Sequence, residues 1–317
     1  MKKLISIIAP MYNEEKLVHA YCEETLKVVR NLNKQYDFEI LLVNDGSNDK
    51  TYEFMLSEQN INPSEISVIC LSRNFGLEGA VNAGLTKANG EAVIVMDADL
   101  QDPPALIPLM IQKWEKGADV VIGSRVKRSN DSFFKKISAG FYYKILDWLS
   151  GKLKLEKNAA NFRLLSRKTL SVILSLPEKN RVFRVIVPFI GMKTDTIEYD
   201  RDKRYAGKTK YSLKSMIPYA LNSITGMSIE PLRKILFFQI IPMLGIIASI
   251  FGMFSYKTYM VLWIIMFFIS ICMILIISVL SIMAEYIAQI MIEVKGRPIS
   301  IIYDYKPCQN AKKRGVK

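Results

Sequence analysis

A mostly parallel α/β sheet with helices on both faces, followed by amphipathic interface helices and a two-helix transmembrane hairpin, is the architecture expected of this 317-residue chain. Three observations lead to it. Short apolar runs alternate with longer amphipathic ones over the first 122 residues, polar clusters follow those runs, and two long charge-free stretches come late in the chain. Half of the residues are hydrophobic and 23% are charged, which excludes a disordered or collagen-like chain. Cys22, Cys70, Cys272 and Cys308 are too scattered for a disulfide framework or a zinc ribbon and suit a reducing compartment.

Residues 4–9 read as the first buried strand. Lys2 and Lys3 precede it as in a signal peptide, but the apolar stretch is short, meets Asn13, Glu14 and Glu15 at once, and has no small-residue cleavage site. Further strands are expected at 38–43, 66–71, 92–96 and 119–122, with helices at 14–32, 49–57, 76–88 and 104–116 between them. Such alternation gives parallel strands, and sheets of this kind bind ligands where the carboxyl ends of the strands emerge. The polar clusters fall at those ends: Tyr12-Asn13-Glu14, Asn44-Asp45-Gly46-Ser47, Ser72-Arg73-Asn74 and Asp97-Ala98-Asp99.

Residues 235–254 and 259–284 are each long enough, and free enough of charge, to cross a bilayer as a helix. Arg233 and Lys234 mark the entry to the first and Lys295 and Arg297 follow the second, while the connecting loop holds only Lys257, so both ends are expected on the cytosolic side. Residues 212–229 read as amphipathic helix at the membrane surface. The expected organisation is a cytosolic domain at 1–210, juxtamembrane helices at 211–231, two spans within 232–284 and a basic cytosolic tail at 285–317. A multi-pass protein of the cytoplasmic membrane, with its site facing the cytosol, is therefore expected. Pairing of two hairpins into a homo-oligomer would bury more area than one hairpin offers.

Charge is distributed unevenly. Residues 1–122 hold 11 Lys/Arg and 18 Asp/Glu, residues 123–236 hold 24 and 9, and residues 237–317 hold 8 and 3. An acidic first third suits a metal or nucleotide site, and a basic middle suits an anionic partner. With two spans downstream that partner is a lipid, and no nucleic acid is expected.

Two carboxylates one residue apart after a buried strand repel each other unless a cation sits between them. Asp97 and Asp99 therefore suggest a hard divalent ion, Mg²⁺ or Mn²⁺, with Gln101 as a neutral oxygen donor. An ion there can bridge the phosphates of a nucleotide. The competing reading is a polar loop with a helix-capping Asp102 ahead of Pro103-Pro104. Asp45 can accept from a base N–H or a ribose hydroxyl, with Gly46 permitting the turn, and Tyr12 can stack on a base. No G-x-G-x-x-G follows the first strand and no G-x-x-x-x-G-K-[ST] occurs, which disfavours a dinucleotide oxidoreductase and a P-loop ATPase. Arg125, Arg204 and Lys210 suit a specific phosphate, whereas Lys135, Lys136, Lys208 and Lys214 suit headgroups in general. His19, the single histidine, reads as a solvated surface residue, so Ser-His or Cys-His catalysis has no support.

Together, the runs from Ile8 through Glu15, Val43-Asn44-Asp45-Gly46-Ser47, Leu71 through Gly76, and Met96 through Pro104 resemble a family 2 glycosyltransferase with the GT-A fold. The resemblance is narrower still to the polyprenyl-phosphate glycosyltransferases, and it continues through Gly123-Ser124-Arg125, Asn161-Phe162-Arg163-Leu164, Arg204 to Tyr211 and the terminal hairpin. It implies a Rossmann-like sheet, a nucleotide-sugar donor (a UDP-sugar), a polyprenyl phosphate acceptor, and Mg²⁺ or Mn²⁺. Carried over by position, Pro10, Tyr12, Glu14, Asp45, Gly46, Ser47 and Arg73 would hold base and ribose. Asp97, Asp99 and Gln101 would hold metal and diphosphate, and Arg125, Arg204 and Lys210, with Lys135, would hold the acceptor phosphate. Two departures stand out. Asn44 replaces a usual Asp, and Asn161 replaces an Asp placed before Phe-Arg-Leu and proposed elsewhere in the family as a base. The expected reaction is inverting sugar transfer to the lipid at the cytosolic face, for cell-envelope glycosylation. A processive polysaccharide synthase and a non-catalytic sugar-nucleotide binder are the alternatives.

Overall fold

The computed structural model of the chain describes residues 2–125, 159–178, 183–200 and 258–313. Its elements are β1 (Lys3–Met11), α1 (Val18–Asn31), β2 (Tyr36–Asn44), α2 (Thr51–Ile61), β3 (Ile66–Leu71), α3 (Gly76–Lys87), β4 (Ala92–Val95), α4 (Ile107–Glu115), β5 (Val120–Arg125), β6 (Ala159–Ser166), α5 (Arg167–Ser175), α6 (Phe183–Ile190), β7 (Thr194–Tyr199), α7 (Thr258–Lys295), β8 (Ile302–Lys306) and α8 (Gln309–Lys312). A short 3₁₀ turn, Pro104–Leu106, leads into α4. The chain divides into two compact units. One comprises Met1–Ser132, Leu155–Lys210 and Arg297–Lys317; the other comprises Phe133–Lys154 and Tyr211–Gly296.

The eight described strands form one sheet in the order β7-β5-β6-β4-β1-β2-β3-β8. β1 pairs parallel with β2 and β4, β2 with β3, and β5 with β7. β6 is antiparallel to both β4 and β5, and β8 is antiparallel to β3. The central strands are predominantly apolar because both faces are covered. Alternate residues serve opposite cores. Ile5, Ile7, Phe38, Ile40 and Ile94 pack with Val18, Tyr21, Cys22 and Val29 of α1, whereas Ile8, Leu41, Val43, Val93 and Val95 pack with Ala80, Val81 and Ala83 of α3.

Within this apolar sheet Ser6 and Glu39 are fully buried. The Glu39 carboxylate accepts from Ser6 Oγ (2.5 Å), Asn89 N (2.6 Å) and Asn89 Nδ2 (3.2 Å), so β1, β2 and the turn before β4 are joined by one satisfied acceptor. Glu39→Ala strands those donors and is expected to destabilise the domain by about 3 kcal/mol. Thermal melting of the detergent-solubilised chain checks this, and an unchanged midpoint would show that water replaces the carboxylate at no cost.

The structure departs from the sequence expectations at several places. α1 begins at Val18, four residues late, because Asn13 takes a left-handed conformation (φ 52°) and residues 14–17 form a turn, with Leu17 N donating to Glu14 O. β5 extends through Gly123 and Ser124 to Arg125. Strands β6, β7 and β8 carry no continuous apolar run. In β6 the interruption is Arg163, which is fully buried with its guanidinium 5.8 Å from the Phe183 ring centroid. The chain after α7 returns to the sheet: β8 pairs with β3, Tyr52 Oη donates to Asp304 Oδ2 (2.7 Å), and Cys308 N donates to Ser67 Oγ (2.9 Å). All four cysteines are free thiols. α7 covers the second predicted span and continues past it; its Phe267–Lys295 portion has mean hydropathy 2.8 and is long and apolar enough to cross a membrane. The first predicted span at 235–254 and the interface helix at 212–229 lie outside the described residues.

Candidate active site

β1, β2, β3 and β4 run parallel, so their carboxyl ends open on one edge of the sheet, and the predicted polar clusters are there. Pro10 is buried inside β1 opposite Val43, while Tyr12 and Glu14 are half-buried just beyond it. Asp45 N donates to Met11 O (2.9 Å), locking the ends of β1 and β2 together. Asn13 N donates to Ser47 Oγ (2.9 Å), Asn48 N to Asn13 Oδ1 (2.9 Å), and Glu14 N to Thr51 Oγ1 (2.8 Å). Asn44 accepts from Ser47 N (3.1 Å) and donates to Cys70 Sγ (3.3 Å), a set that a carboxylate could not complete.

The turn after β2 packs directly on the loop after β3. Gly46 has φ +65°, and a Cβ there would stand 2.3 Å from Arg73 C and 2.5 Å from Asn74 N. Asp45, 3% exposed, accepts from Phe75 N at 2.7 Å. Arg73 is exposed, with its guanidinium 4.1 Å from the Phe75 ring centroid and Nη1 donating to Asn74 O (2.9 Å).

Burial pushes the Asp45 carboxyl up to about 6, against the backbone N–H groups of Phe75 and Gly76 that favour its ionised form. The unfolded chain loses this proton near the ordinary value of 3.8, so the native state holds more protons between there and about pH 6 and this residue makes stability fall as pH rises across that window. The ionised form accepts a nucleotide N–H more strongly than the neutral acid does. UDP affinity is therefore expected to rise as pH increases through about 6, and Asp45→Asn to flatten the profile. Calorimetric titration between pH 5 and 8 checks it; a flat wild-type profile contradicts it.

β4 ends at Val95, Met96 N donates to Ile8 O (3.0 Å), and the 97–102 loop follows. Asp97, Asp99 and Gln101 are half-buried and share this loop, with Asp99 Oδ1 accepting from Gln101 N at 3.2 Å and Leu100 at φ +55°. Among the described residues no cluster of three or more His, Cys, Asp or Glu side chains forms a ready-made metal cage. Two half-buried carboxylates and a carboxamide on one loop are oxygen donors of the kind a hard divalent ion takes, the rest of its shell coming from water and phosphate oxygens. Pro103, not Asp102, holds the N-cap position of the 3₁₀ turn. Asp102 is fully buried and accepts from the hydroxyl of Tyr199, a partner that sequence reading missed because β7 was not recognised as a strand.

Arg125 ends β5 in register with Tyr199. Lys135, Arg204 and Lys210, along with Lys136, Lys208 and Lys214, lie outside the described residues. Asn161 is 8% exposed, and its Oδ1 has no hydrogen-bond partner among the described residues. His19 is exposed, as expected, but its Nδ1 lies 2.7 Å from Oε1 of the buried Glu58, whose hydrogen bond raises the imidazole pKa.

Residues 6–174 match the family described as Glycosyl transferase family 2. Over 310 residues the chain is 37% identical to the uncharacterized glycosyltransferase YkcC of Bacillus subtilis (strain 168), covering 94% of this chain and 92% of that one. It is 36% identical over 310 residues to the SfII prophage-derived bactoprenol glucosyl transferase of Shigella flexneri, covering 94% and 97%. The chain belongs to glycosyl transferase family 2 and is a transferase. Among solved structures it is similar to glucosyl-3-phosphoglycerate synthase from Mycobacterium tuberculosis in complex with Mn²⁺, UDP and glucosyl-3-phosphoglycerate, at TM-score 0.48 and 17% identity over 70% of this chain and 78% of that one.

Proposed function

We propose that the chain moves a sugar from a UDP-sugar to a polyprenyl phosphate at the cytosolic face of the membrane, with inversion at the anomeric carbon. The observation that carries this reading is the 97–102 loop, which sets two half-exposed carboxylates on the same strand edge as the Asp45-Gly46-Ser47 turn. Similarity along 94% of the chain to a relative named for bactoprenol supports the lipid acceptor.

In this reading Asp45 accepts from the base, Tyr12 offers a ring face, and Pro10, Glu14, Gly46, Ser47 and Arg73 complete the donor pocket. Asp97, Asp99 and Gln101 hold Mg²⁺ or Mn²⁺, which when bound offsets the charge that grows on the departing diphosphate. Arg125, Arg204 and Lys210, with Lys135, are assigned to the acceptor phosphate. A phosphate monoester has its second pKa near ~6, so the acceptor oxygen is already ionised at neutral pH and needs no strong base. Asn161, an amide that cannot take a proton, is compatible with that chemistry. The acceptor oxygen forms its bond to the sugar C1 as the C1–O bond to the diphosphate breaks and its electron pair leaves with UDP. The side chains align these partners and balance their charge.

Two membrane crossings are supported by connectivity. β8, which follows α7, pairs with β3 of the sheet built from the first 125 residues, so both lie on the same side of any bilayer. In this reading α7 is one crossing and the charge-free residues 235–254 are assigned as the other.

Incubation of the membrane-embedded enzyme with radiolabelled UDP-sugar and undecaprenyl phosphate tests the proposal. Label in an organic-extractable, acid-labile lipid is expected. Insoluble polymer would indicate a polysaccharide synthase, no transfer would indicate a binder, and either outcome overturns the reading.

A further inference from the structure

Tyr199 is the last residue of β7 and joins three motif-bearing segments. Its ring lies edge-on to Phe162 of β6, with centroids 6.1 Å apart and planes at 89°. A Cβ on Gly123 of β5 would stand 3.1 Å from its Cε1, so the ring fills the space that the glycine leaves. Its hydroxyl donates to Oδ1 of Asp102, a carboxylate with no exposed surface. Packing thus ties the ring to the strands of Gly123-Ser124-Arg125 and Asn161-Phe162-Arg163, and a buried hydrogen bond ties it to the loop carrying Asp97, Asp99 and Gln101.

That loop needs a tie. Leu100, between two of the three candidate ligands, has φ +55°, a conformation in which the Cβ of an L-residue crowds its own backbone. Such a residue persists only where its surroundings hold it, and it is characteristic of functional loops. The Leu100 side chain packs on the core beneath α1, and Asp99 Oδ1 accepts from Gln101 N within the loop. Neither contact fixes the loop's far end. Asp102 does, because Pro103 and Pro104 follow it with restricted backbone angles, and its carboxylate is bonded to Tyr199 from a strand remote in sequence.

We propose that Tyr199 is a positioning residue: through Asp102 it holds the 97–102 loop in the strained conformation that presents Asp97, Asp99 and Gln101 to a divalent ion. This rests on the reading of those three residues as the ion's ligands. The hydroxyl acts through the loop and touches neither substrate nor ion, so its removal changes how much metal the donor needs.

The test is calorimetric titration of UDP into the full-length chain in detergent at graded Mn²⁺. Tyr199→Phe keeps the ring packing and is expected to raise the Mn²⁺ concentration for half-maximal UDP binding about 10-fold. Leu100→Gly removes the steric reason for the tie, so adding Tyr199→Phe to Leu100→Gly is expected to shift the midpoint by no more than about 3-fold. A merely structural hydroxyl would lower the melting temperature in both backgrounds and leave the Mn²⁺ midpoint where it was. A wild-type midpoint in Tyr199→Phe, or an undiminished shift in the Leu100→Gly background, overturns the inference while the donor reading stands. Absence of any Mn²⁺-dependent UDP binding in the wild type removes both. If Tyr199→Phe does not fold, Asp102→Asn serves instead: it weakens the bond from the other side, with a shift of about 3-fold expected and an unchanged midpoint contradicting the inference.

Discussion

Asp99→Ala is expected to lower sugar transfer about 10³-fold while leaving the protein in the membrane fraction. The reason lies in the donor set. Asp97 and Asp99 supply both carboxylates of the 97–102 loop that are open to a ligand, since Asp102 is buried against Tyr199. Removing one leaves a single charged ligand for a hard divalent ion, too few to hold it against a diphosphate leaving group. Asp99 Oδ1 also accepts from Gln101 N, so the same change frees the backbone that aims the third oxygen. The checks are turnover to lipid product and Mn²⁺-dependent UDP binding, both made on the variant in membranes. Turnover like that of the wild type would remove the metal assignment.

Gly46→Ala is the second large effect. The added methyl would lie 2.3 Å from Arg73 C and 2.5 Å from Asn74 N, and both are backbone atoms that cannot swing aside. The left-handed φ of +65° adds about 1 kcal/mol for any residue with a Cβ. The turn and the Ser72-Arg73-Asn74 loop must therefore separate, which breaks the Asp45 to Phe75 hydrogen bond and opens the donor pocket. A loss of at least about 3 kcal/mol in stability and at least about 10-fold in UDP affinity is expected. Gly76→Ala is the internal control. Its φ is +81° but its Cβ would meet nothing within 4 Å, so it should cost only the conformational part, about 1 kcal/mol. Equal losses in the two variants would show that backbone strain alone, and not the close approach to Arg73, governs the site.

The parts of the fold that could be read in the sequence are those where one physical signal dominates. β1 to β5 are built on short apolar runs because both faces of the sheet are covered, with Ser6, Glu39 and Ser67 as buried polar exceptions, and α3 and α4 lie between them as expected. β6 was hidden by Arg163, which only a tertiary partner such as Phe183 makes tolerable in a core. β7 and β8 were hidden because edge strands need little apolar pattern, and β8 also follows a long apolar helix, where pairing with β3 cannot be guessed locally. The candidate site divides in the same way. Asp97, Asp99 and Asp45 were visible because a carboxylate after a buried strand has few other uses. The restraints that shape the site were not. Asp45 is held by the main-chain N–H of Phe75, which no side-chain pattern encodes, and Asp102 by Tyr199 from the far edge of the sheet. The role of Asn44 in bridging Ser47 N and Cys70 Sγ likewise needs the two strand ends side by side.

The most direct test is an experimental structure of the full-length chain with Mn²⁺ and UDP. The expected result is an ion held at the 97–102 loop by Asp97, Asp99 and Gln101 next to the diphosphate, with the uracil seated between Tyr12 and Asp45 at the ends of β1 and β2. Nucleotide bound elsewhere on the sheet, or an empty 97–102 loop at saturating ion and nucleotide, would contradict it.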